Sequence, residues 1–318
     1  MRNDGEYNFK RLNVEFYSEG VKLKGWLYLP QGSEKFPAIV MTHGFSAVKE
    51  MYLDSFAEVF AKAGFVVLVY DNRNFGESEG EPRQEIDPWQ QVKDYRYAIS
   101  YARLRSEVDP ERIGIWGTSY SGGHVIVVGS LDSRVKAIVA QVPLVSGSEN
   151  LRRLVRSDMI PQLRAMFAED YERRMKGEKP LTIPVVCKSP PEMCALPTAD
   201  AYEWFTETGK KRAPTWKNEV TLRSVEYLSM YEPINFIRGV SPKPIMLIVA
   251  QNDVLTPTDL ALEAYERALP PKESEILPGG HFDAYVKEFE RSSRIARDFF
   301  LQHLGQKIIF NGKSNNYY

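Results

Sequence analysis

Ile113-Gly-Ile-Trp-Gly117-Thr118-Ser119-Tyr120-Ser121-Gly122-Gly123 decides the fold. A short apolar run, the pattern of a buried strand, stops at Gly117. Ser119 follows two positions later, with small residues crowded behind it. This pattern predicts a strand-to-helix turn so tight that the serine backbone is strained and its hydroxyl projects at the sheet edge. Small neighbours are required because strand and helix backbones nearly touch there. Such a turn costs stability, which points to a nucleophile held ready for attack. The usual pattern is Gly-x-Ser-x-Gly, and here Ser121 stands at the second glycine position. Ser121 is a rival nucleophile, but its residue two places back is Ser119, so Gly117 favours Ser119.

Outward from this turn, apolar runs and helical stretches alternate. Residues 11–29 read as two strands with alternating polarity and a turn at Glu19-Gly20. Continuous apolar runs at 37–42, 65–70, 112–116, 135–142 and 245–250 read as strands covered on both faces, with a weaker eighth at 274–277. Between them, 50–63, 88–105, 120–131, 257–268 and 284–304 read as helices, the fourth capped by Thr256 with Pro257 in its first position. The alternation predicts an α/β fold, with a mostly parallel eight-stranded sheet flanked by helices. The rhythm breaks over 144–235. That stretch begins with mixed-charge helical sequence, becomes proline-rich and then aromatic, and is too long for a loop. It is expected to be an inserted, largely helical cap at the carboxyl ends of the strands, where open α/β sheets bind ligands. The core is then 1–143 with 236–304, the cap 144–235, and 305–318 a C-terminal tail.

Composition narrows the function. The chain has 318 residues, 43% hydrophobic, with 41 basic against 42 acidic side chains. That balance favours neither nucleic acid nor an anionic membrane surface as partner. No run is long enough to span a bilayer, and the polar N-terminus argues against a secretory signal, so a cytoplasmic location is expected. Cys187 and Cys194 are the only cysteines. They could pair only if the proline-rich loop between them brings them together; two isolated thiols suit a reducing compartment better than a disulfide scaffold, and they lack the companions a metal site needs. No cofactor or metal is called for, and the oligomeric state is left open, a homodimer included.

A serine hydroxyl needs a base within hydrogen-bond reach, and the base needs an orienting acid. Of the four histidines, His281 lies in a glycine loop between the last strand and last helix and is the expected base. His43 reads as a structural hydrogen-bonder, His124 points away from Ser119 on the following helix, and His303 sits at a helix end. Asp253, just after the 245–250 strand, is the expected acid. The backbone amides of Tyr120 and of Phe45, in the loop after the 37–42 strand, are the expected oxyanion donors.

The serine turn, Asp253, His281, the His43-Gly44 loop and the Asp71–Ser78 loop together resemble the α/β-hydrolase superfamily, over roughly 12–143 and 236–304. The Ser-Tyr-x-Gly form of the turn is similar to the dienelactone hydrolase and X-prolyl peptidase branch. His43-Gly-Phe-Ser-Ala-Val-Lys-Glu50, Tyr70-Asp-Asn-Arg-Asn-Phe-Gly76 and Gly80-Glu-Pro-Arg-Gln-Glu-Ile-Asp-Pro-Trp89 look closer still to hydrolases of the polyketide transferase or thiohydrolase type. The resemblance implies an α/β-hydrolase fold and cleavage of an ester or thioester through an acyl-enzyme on Ser119. The substrate would be a small acyl molecule, free or carrier-bound. The alternative is transfer of a polyketide-type acyl group from a thioester to an alcohol or amine. A peptidase and a non-catalytic receptor are more distant readings.

Overall fold

The computed structural model describes residues 2–3, 6–188 and 193–305; residues 306–318, expected to be a tail, lie outside them. Eight strands form one sheet: β1 (Phe9–Ser18), β2 (Val21–Pro30), β3 (Phe36–Thr42), β4 (Val66–Tyr70), β5 (Val108–Thr118), β6 (Val135–Gln141), β7 (Ile245–Ala250) and β8 (Lys272–Leu277). Their order across the sheet is β8-β7-β6-β5-β3-β4-β2-β1. Only β2 runs antiparallel to its neighbours, β1 and β4; every other pair is parallel. All residues of β3, β4 and β7 are buried, which is why these segments are apolar without alternation.

The core helices are α1 (Leu53–Lys62), α2 (Pro88–Arg103), α3 (Tyr120–Leu131), α8 (Thr258–Arg267) and α9 (Phe289–Leu304). α1 packs on α9 and α2 on α3, giving a helical layer on each face. Asp87 caps α2 by accepting from the amides of Trp89 and Gln90, with Pro88 in the first turn. Two expected starts move. α8 begins at Thr258, with Pro257 rather than Thr256 at its cap position. The last helix begins at Phe289, because His281–Tyr285 forms a separate 3₁₀ turn.

Between β6 and β7 the chain leaves the sheet and forms α4 (Gly147–Leu154), α5 (Ile160–Met175), α6 (Ala199–Arg212) and α7 (Leu222–Met230), with a two-stranded ladder of Thr182–Ile183 against Val220–Thr221. Ion pairs fasten this insertion to the core. Arg212 on α6 binds Asp54 on α1 at 2.8 Å, and Arg174 and Arg223 both bind the buried Glu85, at 2.8 and 2.6 Å. The expectation of two free thiols is corrected: Cys187 and Cys194 form a disulfide. Seven residues apart, they meet because the loop folds back on itself, where Ala195 and Leu196 donate backbone hydrogen bonds to Pro184 and Val185. The pairing removes the support that free thiols lent to a reducing compartment. Among the described residues no helix is long and apolar enough to cross a membrane.

Candidate active site

The carboxyl ends of β3 and β5 lie side by side, with Thr42 opposite Gly117. Immediately beyond β5, Ser119 has φ 58° and ψ −122°, a conformation that is strained for a residue bearing a Cβ. Its neighbours hold it there. The Ser119 amide donates to the Gln141 carbonyl and its carbonyl accepts from Leu144, both at 2.9 Å. A Cβ on Gly117 would collide with the Ser121 backbone, so the turn needs glycine at that position. Ser121 itself is fully buried and its hydroxyl has no hydrogen-bond partner.

The loop after β3 passes directly over Ser119. A Cβ on Gly44 would lie 2.9 Å from the Ser119 Cβ and 2.9 Å from the Thr118 carbonyl oxygen. His43 shapes this loop. Its Nδ1 accepts the Gly44 amide at 2.8 Å, so Nε2 carries the proton and donates to the Met51 carbonyl at 2.8 Å. Burial lowers the His43 pKa to about 4, against the opposing pull of the Met51 bond, and so keeps the ring neutral. With the Gly44 amide engaged, the next amide along is that of Phe45. The Phe45 ring packs edge-on against the Tyr120 ring, centroids 5.7 Å apart.

On the other side of the site, the His281 Nδ1–H donates to Asp253 Oδ2 at 2.7 Å, with both side chains 1% exposed. Asp253 is fixed in turn, its Oδ1 accepting the amides of Leu255 at 2.9 Å and Thr256 at 2.8 Å. Charge-assisted bonds of this kind orient a carboxylate firmly. The Thr256 hydroxyl, read from sequence as a helix cap, lies 2.9 Å from Asp253 Oδ2, 3.1 Å from His281 Nδ1 and 3.0 Å from the Val142 carbonyl. It thus joins the acid, the histidine and the end of β6. No spacing rule points to this threonine; only the folded loop reveals it.

Ser119, Phe45 and His281 line one cleft, together with Leu196, Trp204 and Tyr285. α6 roofs it: Trp204 stacks on Phe282, centroids 4.9 Å apart, and lies edge-on to Phe205 at the same distance. About 10 Å³ stays open inside, room for one water. The remaining histidines are elsewhere. His124 is fully buried, with its ring nitrogens on Gln91 and Tyr231 at 2.9 Å, and burial lowers its pKa to about 3. His303 lies near Glu273.

The Asp71–Ser78 loop is bonded to the loop that carries His43, the Asn72 side-chain amide donating to the His43 carbonyl at 3.0 Å. Asp71 accepts the Lys49 amide at 2.8 Å and the Glu77 amide at 3.0 Å. The Lys49 ammonium is completely buried, at 2.8 Å from Asp71, 2.8 Å from Glu50 and 2.6 Å from Glu77. Burial alone would lower its pKa, but the three carboxylates outweigh it and the net shift is upward. Those same carboxylates are close enough together to hold a metal, and the ammonium occupies the position a cation would take.

Comparison with known proteins agrees with this fold. The family described as X-Pro dipeptidyl-peptidase (S15 family) matches residues 19–283. A thiohydrolase of Aspergillus aculeatus is 37% identical over 276 residues, covering 82% of this chain and 83% of that protein. A polyketide transferase of a Penicillium species is 30% identical over 298 residues, covering 92% and 97%. The crystal structure of an α/β hydrolase from Penicillium sp. sh18 superposes with a TM-score of 0.82 at 29% identity, covering 93% of this chain and all of that one.

Proposed function

Starting from the fact that this chain belongs to the X-Pro dipeptidyl-peptidase (S15) family of α/β hydrolases, we propose that it cleaves a carboxylic ester or thioester through an acyl-enzyme on Ser119. The supporting observation is the buried His281–Asp253 bond of 2.7 Å, which opens onto the same cleft as a serine held at φ 58°. In this reading the Ser119 oxygen attacks the carbonyl carbon and its proton passes to His281 Nε2. The oxyanion settles on the amides of Phe45 and Tyr120. His281 then gives the proton to the departing oxygen or sulfur. Water, deprotonated by the same ring, releases the acid and frees the serine. Asp253 holds the tautomer in which Nε2 is the free base, and the Leu255 and Thr256 amides hold Asp253.

The relatives' names, thiohydrolase and polyketide transferase, both describe acyl-group chemistry and support this reaction over peptide cleavage. A dipeptidyl peptidase must also hold a free ammonium group, and among the described residues no carboxylate side chain lines the cleft. The aromatic roof of Trp204 and Phe205 favours a second reading, transfer to an alcohol or amine, since keeping water out protects an acyl-enzyme from hydrolysis.

A fluorophosphonate probe should label the wild-type protein and leave Ser119→Ala unlabelled. Turnover of a short aryl ester should fall about 10⁴-fold or more in that variant. Persistent labelling of the variant would move the nucleophile elsewhere. Product analysis with a competing alcohol separates hydrolysis from transfer.

A further inference from the structure

Acylation of Ser119 needs its oxygen and His281 Nε2 held at one separation, and the bonds to Asp253 and Thr256 do not set it. They fix the histidine ring against the loop after β7 and the end of β6. The base rides on the 3₁₀ turn His281–Tyr285, while the nucleophile follows Thr118, the last residue of β5. Among the described residues one hydrogen bond joins these two segments: the Tyr285 hydroxyl lies 2.5 Å from Thr118 Oγ1. Either hydroxyl can give the proton, and the bond holds both ways.

We propose that Tyr285 is a positioning residue for acyl transfer, acting through Thr118 to set the distance between Ser119 and His281. The assignment rests on the reading of Ser119 as the residue acylated. Thr118 directly precedes Ser119, whose backbone is held at φ 58°, so a shift of Thr118 carries the nucleophile with it. Thr118 is fully buried and Tyr285 is 1% exposed, which keeps water from competing for the bond. The Thr118 hydroxyl also accepts from the Gln141 side chain at 3.3 Å, and the Gln141 carbonyl takes the Ser119 amide at 2.9 Å. Tyr285, Thr118, Gln141 and Ser119 are therefore one connected set. The Tyr285 ring lies nearly parallel to the His43 ring, centroids 5.9 Å apart. The same side chain thus braces the loop that carries Phe45. Burial pushes the Tyr285 phenol upward, so it keeps its proton near neutral pH. Tyr285 lines the cleft, but its hydroxyl is spent on Thr118, which leaves substrate binding to other groups.

Tyr285→Phe removes the hydroxyl and keeps the ring on His43. Its kcat for a short aryl ester and its rate of fluorophosphonate labelling should both fall about tenfold, the weight of one hydrogen bond. KM and the melting temperature should stay nearly unchanged. Thr118→Val breaks the same bond from the other end and should lose at least as much, which keeps the test intact if Tyr285→Phe folds poorly. Thr118→Ser, which retains a hydroxyl, should recover most of that loss. Because the two losses share one cause, the double variant should be no slower than Thr118→Val alone, instead of about a hundredfold slower than wild type. A wild-type labelling rate in Tyr285→Phe overturns the proposal, as do losses that multiply in the double variant. A raised KM with kcat intact also overturns it, since the phenol would then be a substrate contact. Labelling that survives in Ser119→Ala sinks the choice of nucleophile instead, and that result is read without any change at position 285.

Discussion

At the scale of single residues, Thr256 carries more than its place in the sequence suggests. In Asp253-Val-Leu-Thr256-Pro257 a threonine before a proline has the pattern of a helix cap, because short hydroxyl side chains serve free amides at helix starts. The helix instead starts two residues later, and the hydroxyl is spent on Asp253, His281 and the Val142 carbonyl. His281 Nδ1 donates to Asp253 Oδ2, so the Thr256 proton goes to the same carboxylate oxygen or to Val142. In both cases the hydroxyl braces the pair against the end of β6. Thr256→Val keeps the shape and removes that brace. Its kcat should fall about tenfold, the weight of one hydrogen bond, with KM for a short aryl ester and the melting temperature nearly unchanged. Unaltered kcat would mean that the Leu255 and Thr256 amides alone position Asp253. Asp253 and His281 themselves were legible because each stands in the loop that follows a strand, at the edge of the sheet where ligands bind. Thr256 was not, because its role depends on which way a loop turns.

Among the elements, the strands were the most legible. Burial on both faces forces an unbroken apolar run, and 37–42, 66–70 and 245–250 have little other use for such composition. The turn at Ser119 was legible for a similar reason, since a backbone packed against Ser121 tolerates only glycine at 117. Helix starts near the site were less so: residues 284 and 285 read as the start of the last helix but close a 3₁₀ turn that begins at His281, with Phe282 and Tyr285 packed on Trp204 under the roof. The loop between β3 and α1 depends on Gly44 in the same way that the elbow depends on Gly117. Gly44→Ala places a methyl 2.9 Å from the Ser119 Cβ, and either the loop or the serine must move. If the Phe45 amide stabilises the oxyanion, kcat should drop on the order of 10²-fold or more. Fluorophosphonate labelling should slow in parallel, while circular dichroism stays native. Full activity in Gly44→Ala would remove this loop from the oxyanion site.

For the whole molecule, charge is concentrated where segments distant in sequence meet. Lys49 among Asp71, Glu50 and Glu77 joins two loops of the core, and Arg174 with Arg223 on Glu85 joins cap to core. None of these pairings was legible, because a lysine in the sequence reads as surface until the fold encloses it. The buried histidines are similar, and they set how stability responds to acid. His43 and His124 keep their rings neutral because burial lowers their pKa values to about 4 and about 3. In the unfolded chain both titrate near 6.5. Above that value neither state binds these protons, and stability is at its full level. As pH falls through 6.5 the unfolded chain takes up two protons that the folded protein refuses, so stability declines until the folded rings titrate. Carboxylates contribute little before about pH 5, which leaves the histidines to govern the interval above it. Between pH 7.5 and 5 each ring should withdraw about 2 kcal/mol, read as a falling urea midpoint. His124→Gln removes one titrating ring and retains groups able to bond Gln91 and Tyr231. It should start less stable at pH 7.5 and lose only about half as much by pH 5. An unchanged slope in that variant would mean that His124 accepts a proton in the folded state, and that the hydrogen bonds to Gln91 and Tyr231 do not fix its neutral form.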